Sequence, residues 1–311
     1  MDLVTKTSRA LDRLSRKASR PHRLARPYSS LEEANALIAR EIRSGRPLMV
    51  ARLGATEQAV FRRYMLVKRW PLAERWSAVA FGSSLKRTLR DNAGVFPPSG
   101  RSLESFSAIY DNALAQVDLF AVWGNRGEAA IVHKHLGESA RLVPLGSLTP
   151  LFDSPKSWIG ALENKVVLVV HPFAATIRSQ VPRLNEIFPS RLWPHCEIKV
   201  LQAEQTIGGR SERFESWFDA LNCMSREVQD SAANVVLIGA GAYGLPLAAA
   251  AKASGKTALL VGGSLQLLFG IRGRRWDGSS AMKEMMNSSW VRPGEDERPA
   301  AADRVEGGCY W

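Results

Sequence analysis

The sequence is poor in the residues that build crosslinked or metal-bound proteins. Its three cysteines, Cys196, Cys223 and Cys309, lie far apart. They offer no metal-ligand spacing and no paired framework, which argues against a disulfide-stapled domain or a zinc finger and fits a reducing cytosol. His133 and His135 are two residues apart and so do not share a helix face. No apolar run approaches the ~20 residues that span a bilayer, and no signal-peptide core follows Met1. Cys309 is third from the end, which excludes a prenylation box. A G-x-S-x-G elbow is missing, so Ser-His-Asp catalysis has no support. Without RNP-like aromatics, nucleic acid is not an expected partner. There is no internal repeat and no low-complexity linker. The expected location is cytoplasmic.

What is present is a chain of 311 residues, 45% hydrophobic, with a net charge of +12. That is enough apolar material for a substantial core in one large domain or two ordinary ones. A basic excess of this size permits an anionic membrane or a phosphorylated substrate. Half of it lies in residues 1–30, which hold eight Lys or Arg against Asp2 and Asp12. Residues 2–19 can be drawn as a helix with Leu3, Val4, Leu11 and Leu14 on one side. That pattern suits a helix lying on an acidic membrane through residues 1–26, at the inner face of the membrane. A solvated arm and an organellar transit peptide fit the same residues. The division expected is a basic arm over 1–30 and one α/β domain over 31–311.

Within that domain, strands and helices alternate. Ser30 and Glu33 form a capping box before a helix that Gly45 stops. Strands are expected over 47–52, 118–123, 142–145, 166–170, 197–201, 235–238 and 257–261. Helices are expected from Arg52-Leu-Gly-Ala-Thr-Glu to about Lys68 and over 83–91, 103–116, 128–135, 214–228 and 245–253. A further one follows His171 to Phe188, interrupted at Pro182, and 293–304 reads as loop. This order implies a Rossmann-like, mostly parallel sheet with helices on both faces.

The most informative stretch runs from about residue 232 to 276. Val235 to Ile238 is a short apolar run, followed by Gly239, Gly241 and Gly244 in G-x-G-x-x-G order, a helix and a second strand. Glycines at a strand-to-helix turn let a ligand approach the backbone, and the N–H groups of the helix that follows attract phosphate. Alternatively, the glycines only permit close helix–strand packing. A dinucleotide site wants an acidic residue at the end of the second strand, where this chain has Gly262 and Gly263. The loop therefore suits a phosphate-bearing ligand other than NAD.

Three segments carry a resemblance: Gly-Ala-Gly-Ala-Tyr-Gly-Leu-Pro-Leu from Gly239, Gly-Gly-Ser-Leu-Gln-Leu-Leu-Phe-Gly-Ile-Arg-Gly-Arg-Arg-Trp from Gly262, and Val-Glu-Gly-Gly-Cys-Tyr-Trp ending at Trp311. They resemble bacterial proteins of the GT-D-fold glycosyltransferase-like group, which is associated with surface-polysaccharide synthesis. The resemblance runs from about Leu31 to Trp311 and implies a GT-D-type fold. It implies transfer of a sugar from a nucleotide sugar to a glycan or lipid-linked acceptor. Arg52-Leu-Gly-Ala-Thr-Glu is similar to the group's Arg-x-Gly-Asp-Gly-Glu element, whose Asp and Glu are associated with a divalent metal. Arg52, Gly54 and Glu57 match, but Ala55 stands where the Asp belongs, so metal dependence is in doubt and no metal ligand is assigned. Glu57 is a candidate base and His171 a candidate base or phosphate ligand, although Glu57 also suits a helix first turn and His171 a structural role. Gly262, Gly263 and Gln266 follow the last strand and join the binding edge. Arg272, Arg274 and Arg275 supply cations for a diphosphate, unless they form a solvated turn. Trp276 and Tyr310 are stacking or core residues. A nucleotide-binding oxidoreductase and a non-catalytic sugar-nucleotide-binding member of the group are the alternatives.

Overall fold

The computed structural model describes residues 29–67, 83–149, 157–188, 192–206, 208–300, 302–304 and 307–311. The helix drawn over residues 2–19, read as a membrane-surface segment or a solvated arm, lies outside them. Strands β1 (Leu48–Ala51), β2 (Leu119–Val122), β3 (Arg141–Pro144), β4 (Val166–His171), β5 (Glu197–Gln202), β6 (Val235–Ile238) and β7 (Thr257–Leu260) build one sheet. Its order is β3-β2-β1-β7-β6-β4-β5, and every pairing is parallel. The fold is therefore a Rossmann-like α/β fold, as the alternation predicts.

The first half of the chain carries α1 (Leu31–Ser44), α2 (Ala55–Val67), α3 (Ser83–Ala93), α4 (Gly100–Leu114) and α5 (Glu128–His135). The second half carries α6 (Ala174–Gln180), α7 (Leu184–Ile187), α8 (Trp217–Asp230), α9 (Gly244–Ala253), α10 (Arg274–Asp277) and α11 (Ser280–Met285). Pro182 sits in a 3-10 turn, Val181–Arg183, between α6 and α7. Its ring cannot accept an α-helical neighbour one turn back. The helix expected from Phe214 starts at Trp217, because Ser216 caps it by accepting the Asp219 N–H. The stretch 293–304 is loop apart from two short 3-10 turns.

Strand residues alternate between two cores. Met49, Phe120, Leu168, Val236 and Leu260 face the layer that holds α2, α4, α5, α8 and α9. Leu48, Val50, Leu119, Val167, Leu237 and Leu259 face α1, α6, α7 and the segment after β7. Burial on both faces explains why these strands read as apolar runs rather than as alternating patterns. The edge strand β5 is the exception, with exposed residues along it. Among the described residues no helix is long and apolar enough to cross a membrane.

Because helices cover both faces, the chain turns that follow the strands collect at one edge. Asp118, just before β2, helps to lock the opposite edge. Its carboxylate accepts the Met49 N–H at 2.8 Å and the Lys252 ammonium at 2.8 Å, which ties β1, β2 and the end of α9 together.

The capping box predicted at Ser30 is complete. The Ser30 hydroxyl accepts the Glu33 N–H at 3.2 Å, and the Glu33 carboxylate accepts the Ser30 N–H at 2.8 Å. Ser30→Ala is expected to destabilise the domain by about 1 kcal/mol, read as a lower midpoint in urea at unchanged slope.

Candidate active site at the carboxyl edge of the sheet

Turns after six of the seven strands line one cleft of about 190 Å³. Arg52 to Glu57 follow β1, Trp123 follows β2 and Pro172 follows β4. Glu204 to Thr206 follow β5, Gly239 to Tyr243 follow β6, and Gly262, Gly263 and Gln266 follow β7. Ligands bind beyond the carboxyl ends of the strands in open parallel sheets, and the single cleft expected from the sequence is formed there.

The glycine loop has the geometry its residue types imply. Gly241 takes φ +52° with open space where a side chain would sit. A Cβ on Gly239 would meet His171 Cδ2 at 2.6 Å. A Cβ on Gly244 would collide with Leu260 of β7, so this glycine serves helix–strand packing. The 3-10 turn Gly241–Tyr243 and the start of α9 have no side-chain cap, and the turn lines the cleft, where helix-start dipoles favour an anion. Two tyrosines hold the loop in place. Tyr110 of α4 donates its hydroxyl proton to the Ala242 carbonyl at 2.7 Å. The Tyr243 and Thr206 hydroxyls are bonded at 2.8 Å, and the Tyr243 ring stacks on buried Trp217.

Arg52 leaves β1 and lodges against Gly262, whose φ of +79° only glycine adopts comfortably. A Cβ there would collide with the guanidinium. The guanidinium lies 5.0 Å from the centre of the Trp123 ring. Desolvation is the main influence on Arg52, with the Glu57 charge opposing it. Glu57, in the first turn of α2, folds back over Gly54 so closely that a side chain on Gly54 would clash with its carboxylate. Desolvation raises the Glu57 pKa, against its own backbone hydrogen bond and the Arg52 charge.

Arg275 is the third charged group in the cleft. It donates to the Tyr310 hydroxyl at 3.0 Å, and its guanidinium lies 4.8 Å from that ring's centre. The other two arginines of the motif are corrected by the structure. Arg272 and Arg274 do not line the cleft. Gly273 is extended and Arg274 opens a short helix, so successive side chains diverge, and Arg274 reaches a neighbouring depression with Arg292 and Arg298. Gln266 is fully buried and ties the last residues in place, donating to the Ile271 and Tyr310 carbonyls at 3.2 Å each. Gly263 makes room for the Tyr310 ring.

His171 is a poor base. Its ring is buried, and desolvation lowers its pKa to about 3. Nδ1 accepts the Phe173 N–H at 3.0 Å, which leaves the ring proton on Nε2, beside Gly239. The residue is thus a neutral hydrogen-bond donor at this edge rather than the proton acceptor expected.

Glu57 and Glu204 are the two carboxylates of the cleft. Glu57 lies beside Arg52, Glu204 is paired with Arg213, and Ala55 is exposed at the position between. Among the described residues no three His, Cys, Asp or Glu side chains converge. This donor set does not fit Mg²⁺ or Mn²⁺, which want several oxygen ligands.

Sequence reasoning missed Tyr110, Trp123 and Glu128. Tyr110 reads as one more apolar residue of an amphipathic helix. Glu128 reads as a favourable first-turn acid, yet it is buried and accepts the Trp123 and Gly124 N–H groups, the latter at 2.7 Å. Trp123 had a signal: it stands at a strand's carboxyl end directly before a glycine.

No family model matches the chain, and no curated protein matches it. Two solved structures are similar to it, each at 12% identity over 81% of this chain and 82% of the other. One is a selenomethionine-substituted domain of unknown function 1792, with a TM-score of 0.44. The second, with a TM-score of 0.43, is reported as the highly conserved domain of unknown function 1792 with a distinct glycosyltransferase fold.

His171 makes a pH prediction. In the unfolded chain it takes up a proton near pH 6.5, whereas in the fold it stays neutral down to about pH 3. The unfolded state therefore binds more protons in that window, so stability falls as pH drops through it. His171→Asn, whose carbonyl can still accept the Phe173 N–H, is expected to flatten the urea-midpoint profile between pH 6.5 and 3.

Proposed function

We propose that the chain transfers a sugar from a nucleoside-diphosphate sugar to an acceptor hydroxyl on a glycan or lipid-linked chain. The observation that carries this reading is the convergence, in one cleft, of the uncapped glycine-loop dipoles, the Arg52 and Arg275 guanidiniums, and the desolvated Glu57 carboxylate. The first two groups suit a diphosphate, because aligned N–H groups and arginine forks stabilise phosphate charge. The third suits removal of a hydroxyl proton, because desolvation makes a carboxylate a stronger base. The motif resemblance points the same way.

In this mechanism the acceptor oxygen attacks the anomeric carbon and its proton passes to a Glu57 oxygen. The bond between the anomeric carbon and the phosphate oxygen breaks, and its electron pair stays on the departing diphosphate. Arg52, Arg275 and the loop N–H groups hold that charge as it develops. His171 contributes a hydrogen-bond donor at the loop. Association of the basic segment 1–26 with an anionic membrane belongs to the same reading, since it would bring the cleft to a lipid-linked acceptor.

The end of β7 argues against a dinucleotide oxidoreductase. Where an acidic side chain would accept ribose hydroxyls, Gly262 leaves space that the Arg52 guanidinium fills. A second reading keeps the ligand and drops the reaction: Ala55 leaves the element with one carboxylate, which favours a protein that binds sugar nucleotides without transferring them.

Thermal-shift measurements test the ligand class, since a ligand of the folded state raises its apparent stability. A uridine, guanosine or cytidine diphosphate sugar is expected to raise Tm and NAD(H) is not; stabilisation by NAD(H) alone overturns the proposal. Arg52→Ala or Arg275→Ala is expected to weaken nucleotide binding roughly tenfold to a hundredfold, because each charge-assisted bond contributes about 1.5–3 kcal/mol. Calorimetry with Mn²⁺ and with EDTA is expected to give similar affinities. Glu57→Gln is expected to keep donor affinity while slowing transfer on the order of 10²–10⁴-fold. If wild type and Glu57→Gln bind the donor equally and neither releases nucleoside diphosphate, the binding-protein reading replaces the enzyme.

A further inference from the structure

Trp123 is out of place for a structural residue. Large aromatic side chains bury most of their surface, yet Trp123 is 40% exposed. It is one of two exposed large hydrophobics among the described residues, and Leu31, the other, does not line the cleft. Trp123 lines the cleft at the carboxyl end of β2.

Its setting is built. The buried Glu128 carboxylate accepts the Trp123 N–H at 3.1 and 3.2 Å and the Gly124 N–H at 2.7 Å, so the turn carrying the ring is fixed from within the core. Gly124 takes φ +83°, with open space where a side chain would stand, which keeps the surroundings of the ring clear. In the same turn the Asn125 side-chain nitrogen is buried and has no hydrogen-bond partner among the described residues. Arg52 connects this turn to the phosphate-binding groups, because its guanidinium lies 5.0 Å from the centre of the Trp123 ring and packs against Gly262 on the other side.

We infer that Trp123 is the stacking platform for the nucleobase of the donor. The inference rests on the proposed nucleotide-sugar reading and assigns its base-binding subsite. Arg52 covers part of the ring at 5.0 Å, so a base joined through one pentose to a phosphate held by Arg52 reaches the exposed remainder of the ring. The cleft crosses the ends of β2, β1, β7, β6, β4 and β5, five spacings of ~4.8 Å, or ~24 Å. With the base at the β2 end, the β5 end is left for the acceptor. That end carries Gln205, whose buried side-chain oxygen has no hydrogen-bond partner among the described residues, an acceptor of the kind that binds a sugar hydroxyl.

The experiment compares affinities of wild type, Trp123→Phe and Trp123→Ala for inorganic pyrophosphate, for the preferred nucleoside diphosphate and for its sugar conjugate, by titration calorimetry. Base stacking on an aromatic ring is lost on alanine substitution at a cost of roughly five- to a hundredfold in affinity. Trp123→Ala is expected to lose nucleoside-diphosphate affinity in that range while pyrophosphate affinity stays unchanged, and Trp123→Phe is expected to keep most of it. Unchanged pyrophosphate binding also shows that the alanine variant is folded. Nucleoside-diphosphate affinity equal in all three proteins overturns the subsite while leaving the proposed function standing. So does a loss confined to the sugar conjugate, which would place the sugar ring on Trp123. A wild-type protein that binds pyrophosphate no more weakly than any nucleotide overturns the subsite and the nucleotide-sugar reading together.

Discussion

The cleft depends on keeping one guanidinium charge at the end of a fully buried strand. Arginine stays protonated at any accessible pH, so the fold must accommodate a cation where β1 emerges from the core. It does so with space and with partners. Gly262 gives up its side chain to the guanidinium and Gly54 gives up its own to the Glu57 carboxylate. The Trp123 ring provides a face and Glu57 an opposing charge. These compensations come from three strand ends, which makes Arg52 the point where the turns after β1, β2 and β7 are fitted to one another. The same arrangement places the positive charge of Arg52 in the lining of the cleft.

The glycine loop is held by a different device. Its glycines provide freedom, and freedom alone would leave the N–H dipoles unaligned. Tyr110 fixes the Ala242 carbonyl and the Thr206–Tyr243 pair fixes the next residue. Both anchors are buried in the core that holds α4 and α8. Rigidity of this kind matters because preorganised dipoles need no rearrangement when charge develops. The last residues close the opposite wall: Gln266 holds the Tyr310 carbonyl, and Tyr310 in turn holds Arg275.

The scaffold was legible because its signals are local. The capping box at Ser30, the apolar runs at Val235–Ile238 and Val166–His171, and the glycine order after β6 each follow from neighbouring residues, and the all-parallel sheet follows from their alternation. The position of Arg52, Glu57 and the glycine loop at one edge was legible for the same reason, since strand ends share an edge. The roles of individual side chains were less so. Whether Arg272, Arg274 or Arg275 faces the cleft depends on an extended glycine and a four-residue helix, and adjacency in sequence says nothing of that. His171 was read as a base from its place at a strand end, but the N–H two residues on occupies its basic nitrogen. Tyr110 bonds Ala242, 132 residues on, which no spacing rule reaches, whereas Glu128 folds inward onto N–H groups only four and five residues back.

The strand order has a consequence for how the chain is made. β1 is an interior strand, third of the seven, with β2 on one side and β7 on the other. Leu48 pairs with Thr257 and Met49 with Ala258, so the partner on one side of β1 is translated roughly 200 residues later, which at about 5–20 residues per second means on the order of 10–40 s. Throughout that interval a growing chain with β1, β2 and β3 assembled presents the unpaired edge of an apolar strand that the finished sheet holds inside. Such an edge is a template for pairing with other chains, so this molecule is most exposed to misassembly on the ribosome, before the glycine-loop half arrives to cover it.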